Sequence, residues 1–277
     1  MVIRSLVVPV LVFLFSVSAQ PLWAAREITG YSMPLGAPEY GAPPRTYHDS
    51  PLVSITFRTT PEALQKLVPK PMVPNADSLV SVYFGRFNTP DYKSGAFTFK
   101  GDSYLEAGFV VPVTLSDQTG GYSLFLYLNK PGPAMSGREI WGFPKKDADI
   151  VMTDEDGRIT FTIMRLGTTL MRATFQRTEK VEPVPVRPPR VRYNLKYIPS
   201  VRKNAPPDVM QITSYLQENR LKELQKGKAT LELGTTSVDP LGTTLPVLGI
   251  VRSEYMVIDG TVDYGDVVYD YLKQGLK

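Results

Sequence analysis

Short runs of β-favouring residues, each cut off by proline, glycine or a polar turn, recur from Leu52 to the end of the chain, and no segment sustains a helical period for long. Leu52–Phe57, Leu79–Phe84, Tyr104–Val113, Tyr122–Leu128, Ile159–Met164, Thr168–Phe175 and Tyr193–Ile198 all read as strands. With 25 prolines and 21 glycines interrupting the chain, composition favours short strands joined by turns over a helical bundle, and a mostly β fold with a few flanking helices is expected. One helix is well marked. Thr60 can cap it, Pro61 suits its first position, and Pro69, Pro71 and Pro74 stop it after Leu67. Pro131–Ile140 reads as a short helix or an irregular turn. Gly120-Gly121 reads as a hairpin turn, and Val209–Leu233 as strand with a charged interruption at Glu218–Lys228. Residues 25–50 lack periodicity and read as an irregular arm.

Length and composition narrow the class further. The 277 residues suit one large domain over 25–277, with no internal repeat. Residues 1–24 follow the pattern of a secretory signal: Arg4, the apolar run from Leu6 to Ala19, then small residues before a cut after Ala24 or Ala25. Val17-Ser18-Ala19 is a competing cleavage site and an uncleaved anchor the other alternative. The expected location is therefore the periplasm or the exterior, without a membrane anchor after cleavage. Cysteine is absent, which suits an oxidising compartment and excludes thiolate catalysis. The net charge of +4 has no dense basic block, so no nucleic acid is expected as partner. His48 is the only histidine, which excludes a multi-histidine metal site and leaves a Ser-His-Asp triad resting on one loop position. The acidic turn Asp154-Glu155-Asp156-Gly157 lacks the spaced ligands and closing Glu of a calcium loop and reads as a hairpin tip. The proline-rich stretch at 181–189, with basic residues at Arg187, Arg190, Arg192 and Lys196, reads as a linker between strands, or as a polyproline II ligand.

Two features carry chemistry. The first is the stretch from Gly137 to Lys146, Gly-Arg-Glu-Ile-Trp-Gly-Phe-Pro-Lys-Lys. A lysine doublet is ordinarily a solvated turn, but Pro144 stiffens Trp141-Gly142-Phe143-Pro144 and delivers the two amines to one place beside aromatic side chains. Arg138 and Glu139 read as partly structural ion-pair residues. The second is Glu106, a carboxylate inside the apolar run Tyr104–Val113, which either reaches water at a strand end or is buried beside a partner. A lysine would serve.

These segments, taken in order, resemble acetoacetate decarboxylase and its relatives. The likeness runs from Ile55-Thr56-Phe57-Arg58-Thr59 and the helix after it, through Glu106-Ala107-Gly108, Val111-Pro112-Val113 and Tyr127-Leu128, to Gly137-Arg138-Glu139 and Pro144-Lys145-Lys146. The resemblance implies an antiparallel sheet closed into a cone, homo-oligomeric assembly, and imine chemistry on a small oxo acid with no cofactor and no metal. It also implies Lys145 as the Schiff-base lysine, Lys146 as the adjacent cation and Glu106 as an active-site carboxylate. Phe143, Trp141, Tyr83 and Arg45 are then expected on the substrate side. Ser50 stands where the family has a basic residue, and Tyr83 where it has a second acidic one. Acetoacetate decarboxylase is itself a standard example of a lysine made nucleophilic by desolvation or a neighbouring cation. The chemistry needs a neutral amine, and both burial and a second ammonium disfavour the charged form. Decarboxylation of a β-keto acid is the first expectation. Aldol, dehydration or hydration chemistry through the same imine, or a non-catalytic binding protein, are the alternatives.

Overall fold

The protein is described by a computed structural model over residues 30–274, so the signal reading at 1–24 lies outside the described residues. The first half contains β1 (Arg45–Arg58), β2 (Val73–Pro74), β3 (Leu79–Asn88), β4 (Tyr92–Ser94), β5 (Phe97–Phe99), β6 (Ser103–Leu115) and β7 (Gln118–Leu128). The second contains β8 (Lys145–Asp147), β9 (Asp149–Glu155), β10 (Arg158–Arg165), β11 (Thr168–Lys180), β12 (Arg190–Ile198), β13 (Val209–Leu233), β14 (Gly249–Val262) and β15 (Asp266–Asp270). Helices are short, and two matter here: α1 (Pro61–Leu67) and α2 (Pro131–Ser136). The fold is mostly β, as expected. Its main sheet is mixed, because β7 runs parallel to both β8 and β12 while the other neighbours are antiparallel.

The sheet returns on itself. Its order runs β12, β7, β6, β3, β1, β14, β13, and β12 pairs with β13 as well as with β7, so these seven strands form a ring. From the far end of β13 the sheet continues through β11, β10 and β9.

Alternation along each strand gives the ring two chemically different faces. Val53, Ile55 and Phe57 of β1, Val80, Val82 and Phe84 of β3, and Ala107, Phe109 and Val111 of β6 are buried in one core with Ile159, Phe161 and Phe175 from β10 and β11. Phe84 and Phe161 lie 4.8 Å apart between centroids across that layer. The intervening residues, including Leu52, Ser54, Ser81, Tyr83, Glu106 and Val110, line a cavity on the opposite face.

Three local expectations need correction. Residues 45–50 already belong to β1. Val209–Leu233 is one unbroken strand of 25 residues, because β12, β14 and β11 hydrogen-bond it in succession and its charged side chains simply alternate outward. Gly120 and Gly121 lie inside β7; the turn is earlier, at Ser116-Asp117, since Leu115 pairs with Gln118. The glycines serve the crossing of β12. A Cβ at Gly120 would stand 2.5 Å from Tyr193 Cε2, and one at Gly121 would stand 2.3 Å from Arg192 Nη1. The tip at Asp156-Gly157 is found as expected, with both residues at positive φ between Glu155 and Arg158.

The cap on α1 is also as read: Thr60 Oγ1 accepts from Ala63 N at 3.2 Å, with Pro61 in the first turn. Thr60→Ala should cost about 1 kcal/mol, lowering the melting temperature by roughly 2–4 °C in a thermal unfolding scan.

Candidate active site

The Gly137–Lys146 stretch is a built support for one side chain. After α2, residues Gly137–Trp141 form a single π-helical turn, closed by Gly142 at φ 77°. Gly142 is required twice over: the left-handed conformation suits glycine, and a Cβ there would stand 2.5 Å from Lys196 Cα. The chain then bends through Phe143 and Pro144, with Phe143 N donating to Gly137 O at 3.0 Å, and Lys145 enters β8 beside Leu126 of β7. Gly137 leaves room for the lysine, since a Cβ there would lie 2.7 Å from Lys145 Cδ. Arg138 Nη1 clamps the same residue from behind by donating to Lys145 O at 3.0 Å. Glu139 accepts a hydrogen bond from Tyr40, which ties the arm at 30–44 to this turn.

Lys145 is only 7% exposed and Glu106 only 4%. Lys145 Nζ forms an ion pair with Glu106 Oε2 at 2.9 Å and donates a hydrogen bond to Pro133 O at 3.3 Å. Glu106 Oε1 accepts from the Tyr83 hydroxyl at 2.8 Å. The Tyr83 ring covers Gly108, where a Cβ would meet Tyr83 Cζ at 2.4 Å. Burial first, and then the Glu106 carboxylate beside it, push the Tyr83 phenol well above its ordinary value, so it acts as a donor holding Glu106. Aromatic rings surround the amine. Phe143 and Tyr104 have centroids 5.3 Å and 5.7 Å from Nζ, and Phe143 packs edge-on against Tyr215. Trp141 backs Phe143 and is fixed by its own indole, which donates to Asp263 O at 2.8 Å.

Lys145, Glu106, Tyr83, Phe143, Trp141 and Arg45 all line the cavity, whose volume is about 890 Å³. Arg45 is held by Gly41 O at 2.6 Å and by the Tyr92 ring at 4.1 Å, while its Nη1 is buried with no hydrogen-bond partner. Ser50 is fully buried and structural: its hydroxyl reaches His48 O and accepts from Asn88 N at 3.1 Å. His48 is mostly exposed, with its Nδ1 4.0 Å from Asp259 Oδ1.

Lys146, the expected neighbouring cation, points elsewhere. Successive residues of a strand face opposite ways, and Lys146 Nζ donates to Asp239 Oδ1 at 2.7 Å and Val238 O at 3.1 Å, away from the cavity. Asp239, 2% exposed, also takes Arg165 Nη1 at 2.6 Å and the Tyr127 hydroxyl at 3.0 Å. Burial alone would raise its carboxyl; hydrogen bonds from Lys146, Tyr127 and Arg165 outweigh that and hold it below the usual carboxylate range. No sequence signal marked Asp239, which sits in a turn after β13. Tyr104 and Tyr215 were equally unmarked, because an isolated tyrosine on a strand reads as packing.

A ring-shaped sheet thus encloses a cavity in which a buried lysine is paired with a carboxylate and walled by aromatic rings. The chain belongs to the acetoacetate decarboxylase (ADC) family, whose model matches residues 32–272. It is 36% identical over 249 residues to an acetoacetate decarboxylase of Burkholderia vietnamiensis strain G4, covering 88% of this chain and 96% of the relative. The crystal structure of acetoacetate decarboxylase from Legionella pneumophila superposes with a TM-score of 0.73 at 27% identity, covering 88% of this chain and 96% of that one. The enduracididine biosynthesis enzyme MppR, complexed with the condensation product of pyruvate and imidazole 4-carboxaldehyde, gives a TM-score of 0.73 at 15% identity, over 88% of this chain and 98% of that one. At that identity the likeness is one of fold.

Proposed function

We propose that the protein is a carbon–carbon lyase that decarboxylates a β-keto acid through a Schiff base on Lys145. The observation that carries this is the 2.9 Å contact between the buried Lys145 amine and Glu106 inside an aromatic cavity. A proton passed from Nζ to Oε2 across that contact leaves a neutral amine, the form that attacks a ketone. The amine adds to the carbonyl carbon and water leaves, giving an iminium. The bond to the carboxylate then breaks, its electron pair moves into the iminium to form an enamine, and CO2 departs. Protonation at carbon and hydrolysis return the ketone and the amine. Glu106, steadied by Tyr83, is the nearest group to carry the protons. Arg45, with Nη1 unpartnered, is the residue we assign to the substrate carboxylate in place of the basic group that Ser50 does not supply.

A second reading keeps the imine and changes the bond made or broken. It is favoured by the cavity, which at about 890 Å³ is far larger than acetoacetate requires, and by a fold shared with MppR. Borohydride reduction in the presence of acetoacetate, with mass mapping, is expected to label Lys145 under both readings. Absence of an adduct with any oxo acid would leave a binding protein. Release of CO2, lost in Lys145→Ala, selects decarboxylation. The same proposal assigns the enzyme to an exported compartment as a homo-oligomer, on the apolar run at 6–19 and the family likeness; cell fractionation and light scattering check it.

A further inference from the structure

The cavity has a second charged end. Arg187, Arg190 and Arg192 line it as the chain leaves the proline-rich stretch, and Arg252 joins them from β14. Arg192 is placed by its surroundings: Nε donates to Gln217 Oε1 at 2.6 Å, and the guanidinium lies over Gly121, where any side chain would collide with it. Glu254 is the only carboxylate paired with the group among the described residues, 3.1 Å from Arg187 Nη2 and 3.9 Å from Arg252 Nε. Four guanidinium groups against one carboxylate leave about three positive charges facing one end of a cavity, an arrangement that repels itself unless an anion enters. The repulsion is felt locally: desolvation by the surrounding chain, then Arg192, Arg187 and Arg252, hold Arg190 below the usual guanidinium range.

The cluster runs outward along the strands from the surroundings of the amine: Arg192 pairs across the ladder with Tyr215, which packs on Phe143, and Arg190 stands two positions further along β12. Glu106, Gly108, Val110 and Pro112 are the successive cavity-side positions of β6, and Val110 Cγ1 is the atom that packs against Gly121 under Arg192. Four residues of strand separate Val110 from Glu106, about 13 Å of backbone. With Arg45 assigned to the carboxylate beside the reacting ketone, the arginine cluster is left for a second anionic group.

We propose that the arginine end binds a second carboxylate of the substrate, so that the ligand is an oxo dicarboxylate whose far acid group stands several bonds from the reacting ketone. This rests on the imine reading for Lys145. It also gives a use to segment 187–192 that neither a linker nor a polyproline ligand would have.

The test compares 3-oxo acids of equal length with and without a terminal carboxylate, from 3-oxoadipate against 3-oxohexanoate to 3-oxosuberate against 3-oxooctanoate. The wild-type protein is expected to prefer the dicarboxylate by tenfold or more in kcat/KM, and Arg192→Gln to reduce that preference at least tenfold. Arg190→Gln, at an exposed position that the fold tolerates, should reduce it in the same direction. Equal kcat/KM for the two series, or a preference untouched in both variants, overturns the proposal. Calorimetry with adipate and suberate against hexanoate and octanoate reads the site without any imine. Tighter diacid binding with no borohydride-trapped lysine would sink the imine reading and keep the arginine site. Equal trapping and equal binding of monoacids and diacids would do the reverse.

Discussion

Lys145→Met should abolish turnover, with kcat/KM falling by at least about a thousandfold, because Lys145 is the one amine paired with Glu106 among the described residues. The same change leaves Glu106 4% exposed with Tyr83 as its remaining partner, and removing one member of a buried ion pair costs about 3 kcal/mol or more. Loss of activity alone would therefore not separate chemistry from damage. The double variant Lys145→Met with Glu106→Gln separates them. It removes both charges, so most of the lost stability should return in thermal unfolding, while CO2 release stays at background. Lys145→Arg makes the complementary point, since it keeps a cation for Glu106 but offers no imine-forming amine. Turnover above a few per cent of wild type in either variant would exclude Lys145 as the nucleophile.

Much of this was legible in the chain. The strand runs, the Thr60 cap and the tip at Asp156-Gly157 follow from local chemistry, and local chemistry is what the structure retains there. The carboxylate at Glu106 was visible as an anomaly in an apolar run, although its partner lies 39 positions further on and is brought near only because β6 and β8 flank β7. What could not be read was set by long-range pairing. Gly120-Gly121 has the composition of a turn, and nothing local says that Tyr193 and Arg192 will cross it. Arg190 and Arg192 looked like punctuation in a proline-rich linker, yet an i, i+2 pair on a strand shares one face, and here that face is the cavity wall. The doublet misled for the same reason. Adjacent in sequence, Lys145 and Lys146 are on opposite sides of β8, so the environment of the Lys145 amine is made by Glu106 and aromatic rings and not by its neighbour.

Asp239→Ala should therefore be a stability variant, with the effect felt through the strand that carries Lys145. It strands the Lys146 and Arg165 charges and the Tyr127 hydroxyl around a site that is 2% exposed. Since Lys146 is 38% exposed on its side chain, water recovers part of its solvation, and a loss of about 3 kcal/mol, at the lower end for a broken buried network, is expected. The melting temperature should fall by roughly 6–12 °C. The sign of the pH dependence follows from the lowered Asp239 carboxyl: its stabilisation is present above the unfolded carboxylate value of about 4 and is lost as pH falls through the folded one. The gap between wild type and Asp239→Asn should thus be full at neutral pH and close in acid. Lys146→Gln tests the division between the two lysines. If Lys146 acts only through Asp239, this variant lowers the melting temperature and leaves the rate of borohydride trapping at Lys145 within about threefold of wild type, whereas a field effect on the neighbouring amine would slow trapping tenfold or more and shift its pH profile upward.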